Sequence, residues 1–230
     1  MVNALDVTGI IYVRAKNVTI QNTRVRGCGP GGAIDVGYDN ANGPVTVKDV
    51  ELNGQGCGDY AMIGNSNYTC IRCNIYGARV GAAMDTTVVV RDSWIHDLVY
   101  VTASHMEAIL SNGGNNYQVI HNNLECVGGD DQGGCSAALA MFGDFGPIDN
   151  ALVQYNLFNT SGSYCTYAGS AAGKPYPNGT NVRYLNNYFG KKYNPQCGLY
   201  GPATAWAFNA GNVWSDNVWA DGSGTVAAPN

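Results

Sequence analysis

Short alternations of β-branched or apolar residues with polar ones recur along this chain. They read Asn17-Val-Thr-Ile-Gln-Asn22, Val45-Thr-Val-Lys-Asp49 and Val88-Val-Val-Arg-Asp92, with looser copies at 69–73, 117–121, 151–155 and 182–186. Alternation with period two predicts strands that bury one face. A polar residue ends each copy. An apolar residue follows about three positions later: Val25, Leu52, Tyr76, Ile95, Leu124, Phe158 and Phe189. The copies return at the spacing of a solenoid array. One such layer cannot bury its apolar face alone, whereas stacked layers bury a continuous core.

Between the copies lie short apolar runs at 31–36, 59–63, 107–110, 136–141 and 198–200, each introduced by Gly, Cys or a small polar residue. They read as a second strand in each layer. No window holds apolar residues at helical spacing, and 31 Gly with 8 Pro would interrupt long helices. A β-sandwich or propeller would show hairpin signals between equal strands. Asn42-Gly43 and Asn178-Gly179 instead sit just before a repeat, where a coil bends anyway. The reading is an all-β, right-handed parallel β-helix of about seven or eight rungs. It spans residues 1–222 as one domain, with 223–230 as a tail or linker start. Trp214 and Trp219 are expected to cover the last rung. The first rung has no evident cover, so a leader or capping segment is expected to precede it, and an open edge there invites self-association.

Charge narrows the partners. Charged residues make up 13 %, the net charge is −5, and Lys plus Arg number only 12, which argues against nucleic acid. Arg14, Lys16, Arg24 and Arg26 read as a solvated outer face. No apolar run is long enough to insert in a membrane. The eight cysteines in a Gly- and Asn-rich chain favour disulfides and a secreted protein. Cys28 and Cys57 share a context one rung apart, Cys126 and Cys135 flank a Gly-rich loop, and Cys165 and Cys197 are also about a rung apart. Cys70 and Cys73 remain. With no helix for a redox dithiol and no further zinc ligands, they read as a structural disulfide, local or re-paired.

The repeats, together with His105-Met-Glu107-Ala-Ile109, resemble the pectate-lyase-like superfamily of β-helix proteins across nearly the whole chain. That resemblance implies the fold. It leaves the reaction open among lyases, hydrolases, esterases and non-catalytic adhesins. In the pectate lyases a groove carries arginines and calcium-binding aspartates. Asp85 and Asp97 would be the counterparts as oxygen ligands, making calcium the candidate cofactor. The polygalacturonase-like hydrolases offer Asp130-Asp131 as a comparison, but no histidine follows His121 to complete their motif, and the pair reads as a solvated turn or a calcium-binding tip.

The middle rungs hold Asp85, Asp92, His96, Asp97, His105, Glu107 and His121, including all 3 histidines of the chain. Asp92 and His121 occupy the strand-ending position, where a polar side chain serves the turn. His105 and Glu107, two apart on a strand, share a face. Neighbouring rungs carry Gly, Ala, Cys or Tyr at comparable points, so the fold does not require an ionisable pair there. His105 and Glu107 are therefore the candidate base and acid, with Asp97 beside them and His96, Tyr100 and Tyr167 as candidate substrate contacts. Loop aromatics among many Asn and Gln suit a sugar chain, whose C–H faces stack and whose hydroxyls need polar partners. The expected function is cleavage of an extracellular polysaccharide by a lyase or glycoside hydrolase. The alternative is a non-catalytic surface, adhesin or assembly protein.

Overall fold

The computed structural model describes residues 1–37, 43–101, 103–130, 133–209 and 211–230, so Asn42 and Asp131 lie outside the described residues. No helix occurs among the described residues, and none is long and apolar enough to cross a membrane. Nine strands build one parallel sheet in chain order: Val2–Asn3, Val18–Gln21, Val45–Lys48, Tyr68–Ile71, Thr86–Arg91, Gly114–Ile120, Ile148–Gln154, Thr180–Leu185 and Val213–Ser215. A second sheet of sixteen strands takes the intervening segments, including Glu51–Gly64, Asn74–Ala83, His105–Ser111, Gly133–Met141 and Tyr164–Ala168. Its pairings are parallel except between Gly129–Asp130 and Gly133–Met141. The chain visits the two sheets alternately, which is consistent with a parallel β-solenoid.

The polar residue that ends each repeat has a clear local cause. Asn22, Asp49, Arg72, Asp92, His121, Tyr155, Asn186 and Asp216 all adopt positive φ, between 49° and 58°. The chain turns there from the first sheet into the second, and Asn and Asp tolerate that conformation best. Three positions on, Val25, Leu52, Ile75, Ile95, Leu124, Phe158 and Phe189 are fully buried. One expected position shifts by a residue: Ile75 is the core residue, and Tyr76 faces outward, donating its hydroxyl to Glu51 Oε1 at 2.6 Å. The turn residue is Arg72 rather than Cys73, so counting three places from it reaches Ile75.

Directly after the turn residue comes a buried column. Of Asn122, Asn156, Asn187 and Asn217, the first three each give Nδ2 to the next Oδ1 in line, at 2.9, 3.0 and 2.9 Å, and Asn217 gives its Nδ2 to the Tyr184 carbonyl at 2.9 Å. Each Oδ1 of Asn156, Asn187 and Asn217 also accepts the backbone N–H of the preceding asparagine at 3.0 Å. Ser93 continues the column, its N–H donating to Asn122 Oδ1 at 2.9 Å. Every polar atom is matched, which is what allows amides to lie inside an apolar core.

The interior between the sheets is filled by Tyr68, Tyr117, Tyr184, Phe158 and Phe189 among others. Buried tyrosine hydroxyls reach across: Tyr68 donates to the Ala83 carbonyl at 2.8 Å, Tyr117 pairs with Ser111 at 2.8 Å, and Tyr184 with Thr166 at 2.6 Å. Burial pushes the Tyr117 and Tyr184 phenols far up, so they stay neutral.

Four disulfides join Cys28 to Cys57, Cys70 to Cys73, Cys126 to Cys135 and Cys165 to Cys197. Such a set is typical of proteins matured in an oxidising compartment. The run 198–200 is a bend rather than a strand; the strand begins at Gly201. Tight turns from Cys197 N to Asn194 O and from Gly198 N to Gln196 O, beside the disulfide, delay it. At the end of the stack Trp214 lies over Tyr184 at 5.0 Å, with Phe189 and Trp206 against it. Residues 223–230 return along this end: Thr225 bridges Val218, Val226 is 4 % exposed, and its carbonyl accepts Trp214 Nε1 at 2.8 Å. At the other end Arg14, Arg24 and Arg26 pair with Asp35, Glu51 and Asp6.

Candidate functional site

His105 and Glu107 lie on the His105–Ser111 strand, and Met106 between them turns into the core. The pair thus shares the outer face, as strand geometry requires. Glu107 pairs in register with Val80 on one side and Ala137 on the other. Those residues belong to a small apolar cluster with Ala61, Ala83, Leu110 and Ala140, packed on by Phe142 and Tyr167. Glu107 is 2 % exposed in these surroundings. Burial lifts its carboxyl from the ordinary 4.5 to about 7, while the Ser136 hydroxyl and the Arg79 charge pull the other way. Arg79 also donates Nη1 to the His105 carbonyl at 2.8 Å, bracing that strand.

His105 and Ser136, though not Glu107, line a cavity of about 880 Å³ together with Asp130, Ser161, Ser163, Tyr167 and Gly128, Gly129, Gly133 and Gly134. The Ser136 Oγ lies 3.2 Å from His105 Nδ1. With Nδ1 protonated, the imidazole donates to Ser136 Oγ and Ser136 donates to the Glu107 carboxylate. His105 Nε2 is then left as an acceptor. His105 is exposed while Glu107 is buried, so the histidine meets whatever enters and the carboxyl acts from behind it. Tyr167 is pushed upward chiefly by burial, with Tyr164 and Glu107 adding to it. Its phenol therefore keeps its proton.

The other expected site residues fall elsewhere or one step back. Tyr100 donates its hydroxyl to Asp130 Oδ1 at 2.6 Å and so supports the cavity wall from outside. His96 and Asp97 are not among the lining residues. His96 is 8 % exposed, stacked between Trp94 and Tyr76, and both ring nitrogens are occupied, Nδ1 by Asp97 at 2.7 Å and Nε2 by Asn74 at 2.8 Å. Asp97 itself is exposed. Asp85 lines a separate hollow of about 280 Å³ with Asn112 and Asn115, and burial raises its carboxyl. Asp85 and Asp97 thus do not converge. Among the described residues no group of three His, Cys, Asp or Glu could hold a metal ion. Asp92 and His121 stand in the turn column and bond to each other at 2.8 Å.

Ser136 gives no signal in the sequence and Arg79 sits in no matching motif; each reaches the pair from a neighbouring strand, which only the register reveals. Comparison with family models, with curated proteins and with solved structures returned no match.

Proposed function

We propose that this chain is a secreted, pectate-lyase-like right-handed β-helix whose His105 cavity cleaves an extracellular polysaccharide by elimination. One observation carries this reading: a carboxyl raised to about 7, linked through Ser136 to an exposed histidine that lines a cavity. Carboxyls whose pKa is raised by desolvation beside a specific partner cluster at functional sites. A neutral imidazole backed by a carboxylate is a competent base near neutral pH.

Elimination suits these groups better than hydrolysis. Glycoside hydrolysis uses two carboxyl groups facing the scissile bond. Here Glu107 is buried, and Asp130, the carboxylate among the described residues that line the cavity, is bonded to Tyr100. In elimination, His105 Nε2 takes the proton on the carbon next to a uronate carboxylate. The electron pair forms a carbon–carbon double bond and the β carbon–oxygen bond breaks. Tyr167 returns a proton to the departing oxygen. The positive imidazole is stabilised through Ser136 by Glu107, and the uronate charge needs a counter-charge from Arg79 or an added cation.

The test is ultraviolet absorbance of unsaturated product together with reducing-end release, over a panel of polyuronates and neutral polysaccharides, with calcium and with chelator. Absorbance that disappears in His105→Ala supports the reading. Reducing ends without absorbance would replace elimination with hydrolysis, and silence throughout would favour a non-catalytic scaffold.

A further inference from the structure

A second hollow of about 890 Å³ lies at the corner where the chain passes from the first sheet into the second. None of its lining residues belongs to the His105 cavity. Three large aromatics open into it: Trp94, Tyr155 and Tyr188, each 45–46 % exposed. They come from three different layers. Trp94, Asn123, Leu157 and Tyr188 are successive partners across the second sheet, so Trp94 and Tyr188 stand three strand steps apart, about 14 Å. Trp94 is held flat by His96, whose ring stacks on it at 3.6 Å and 18°. One face of the indole is thereby covered and its orientation fixed.

The polar groups around these rings carry a second message. Arg72 is engaged bidentately by Asp49, at 2.6 and 2.9 Å, and Asp92 by His121 at 2.8 Å. Asp92 also lies 3.5 Å from Arg91 Nη1, so the Arg72 and Asp92 charges at this corner each have an opposite charge beside them. Asn123, on the floor, has an Oδ1 with no hydrogen-bond partner among the described residues. A row of exposed aromatic rings, one of them held by a stacked histidine, among paired charges fits a neutral sugar chain. Pyranose C–H faces can stack on the rings while hydroxyls meet the tyrosine hydroxyls and the paired Arg72 and Asp92 side chains at the edge of the hollow.

We infer that this corner binds a neutral glycan, through Trp94, Tyr155 and Tyr188, independently of the chemistry at His105. It would hold the protein on a neutral matrix polysaccharide while the other face works.

The test is calorimetric titration of the intact, disulfide-bonded chain with soluble oligosaccharides of β-linked glucose, xylose and mannose, and with an oligouronate for comparison. Binding of a neutral oligosaccharide is expected. Trp94→Ala and Tyr188→Ala, in separate layers and each checked for an unchanged melting temperature, should each weaken it by about tenfold or more. His105→Ala should leave it unchanged while removing cleavage, so failure of the two readings is separable. Absence of binding across the neutral sugars, preference for the oligouronate, retention of affinity in both aromatic variants, or its loss in His105→Ala would each overturn the inference.

Discussion

Glu107→Gln isolates the energetic consequence of keeping a carboxyl in an apolar cluster. In the folded chain this group titrates at about 7, against 4.5 ordinarily, because burial disfavours its charged form. Between those two pH values the folded state keeps a proton that the unfolded chain has released. Stability is therefore fully present below about pH 4.5 and falls as pH rises through about 7. At 1.36 kcal/mol per pH unit, the ionised carboxyl costs the folded state roughly 3 kcal/mol above that range. Glutamine has the shape of the protonated acid and cannot ionise. Glu107→Gln should match the parent near pH 4 and exceed its stability by up to about 3 kcal/mol near pH 8. Urea denaturation midpoints of both proteins, taken at several pH values, measure the difference, and all other titrating groups cancel in it. A gap that does not widen between about pH 5 and 8 would refute the burial argument. The same substitution should lower the activity of His105 if Glu107 backs it through Ser136.

Replacing Asn156 with leucine removes an amide that accepts from Asn122 and donates to Asn187 and to the Val119 carbonyl, and it should cost at least about 3 kcal/mol in urea denaturation. The Cys165–Cys197 bridge closes a sequence separation of 32 and the Cys70–Cys73 bridge one of 3. Paired alanine substitutions should cost about 4 and about 2 kcal/mol respectively, an order that denaturation under non-reducing conditions checks. Trp214→Ala strips the stacked cover from Tyr184 and Phe189 and should destabilise the last layers by about 3 kcal/mol, read as early loss of near-ultraviolet dichroism.

The repeat phrase made the first sheet readable because each copy alternates cleanly and ends on a residue suited to positive φ, as at Asn22, Asp49 and Asp92. The copy at 69–73 turns one place earlier than its polar end suggests, at Arg72, because a long basic side chain gives no turn signal. The second strands were visible where runs such as 136–141 are apolar. Tyr164–Ala168 was not, because its inward Cys165 and Thr166 do not stand out from a loop. Of the site, sequence spacing alone put His105 and Glu107 on one face. It could not show that Ser136 bridges them or that Val80 and Ala137 dry the carboxyl, since those neighbours lie a full layer away. His96 and Asp97 looked catalytic by proximity in sequence, yet the chain bends between them and His105, and His96 is committed to Trp94, Asn74 and Asp97.

The asparagine column has a consequence for how this chain can vary. Each amide must meet the one above and below, so the turn that carries it cannot gain or lose a residue without breaking two junctions at once. The connections elsewhere, such as 97–104 and 190–200, face no such demand and differ in length from layer to layer. One edge of the molecule is thus a fixed spine and the others are free margins. New loops can be grafted onto the margins without altering the pitch of the stack. A binding row built along the spine, by contrast, keeps its spacing whatever happens to the rest.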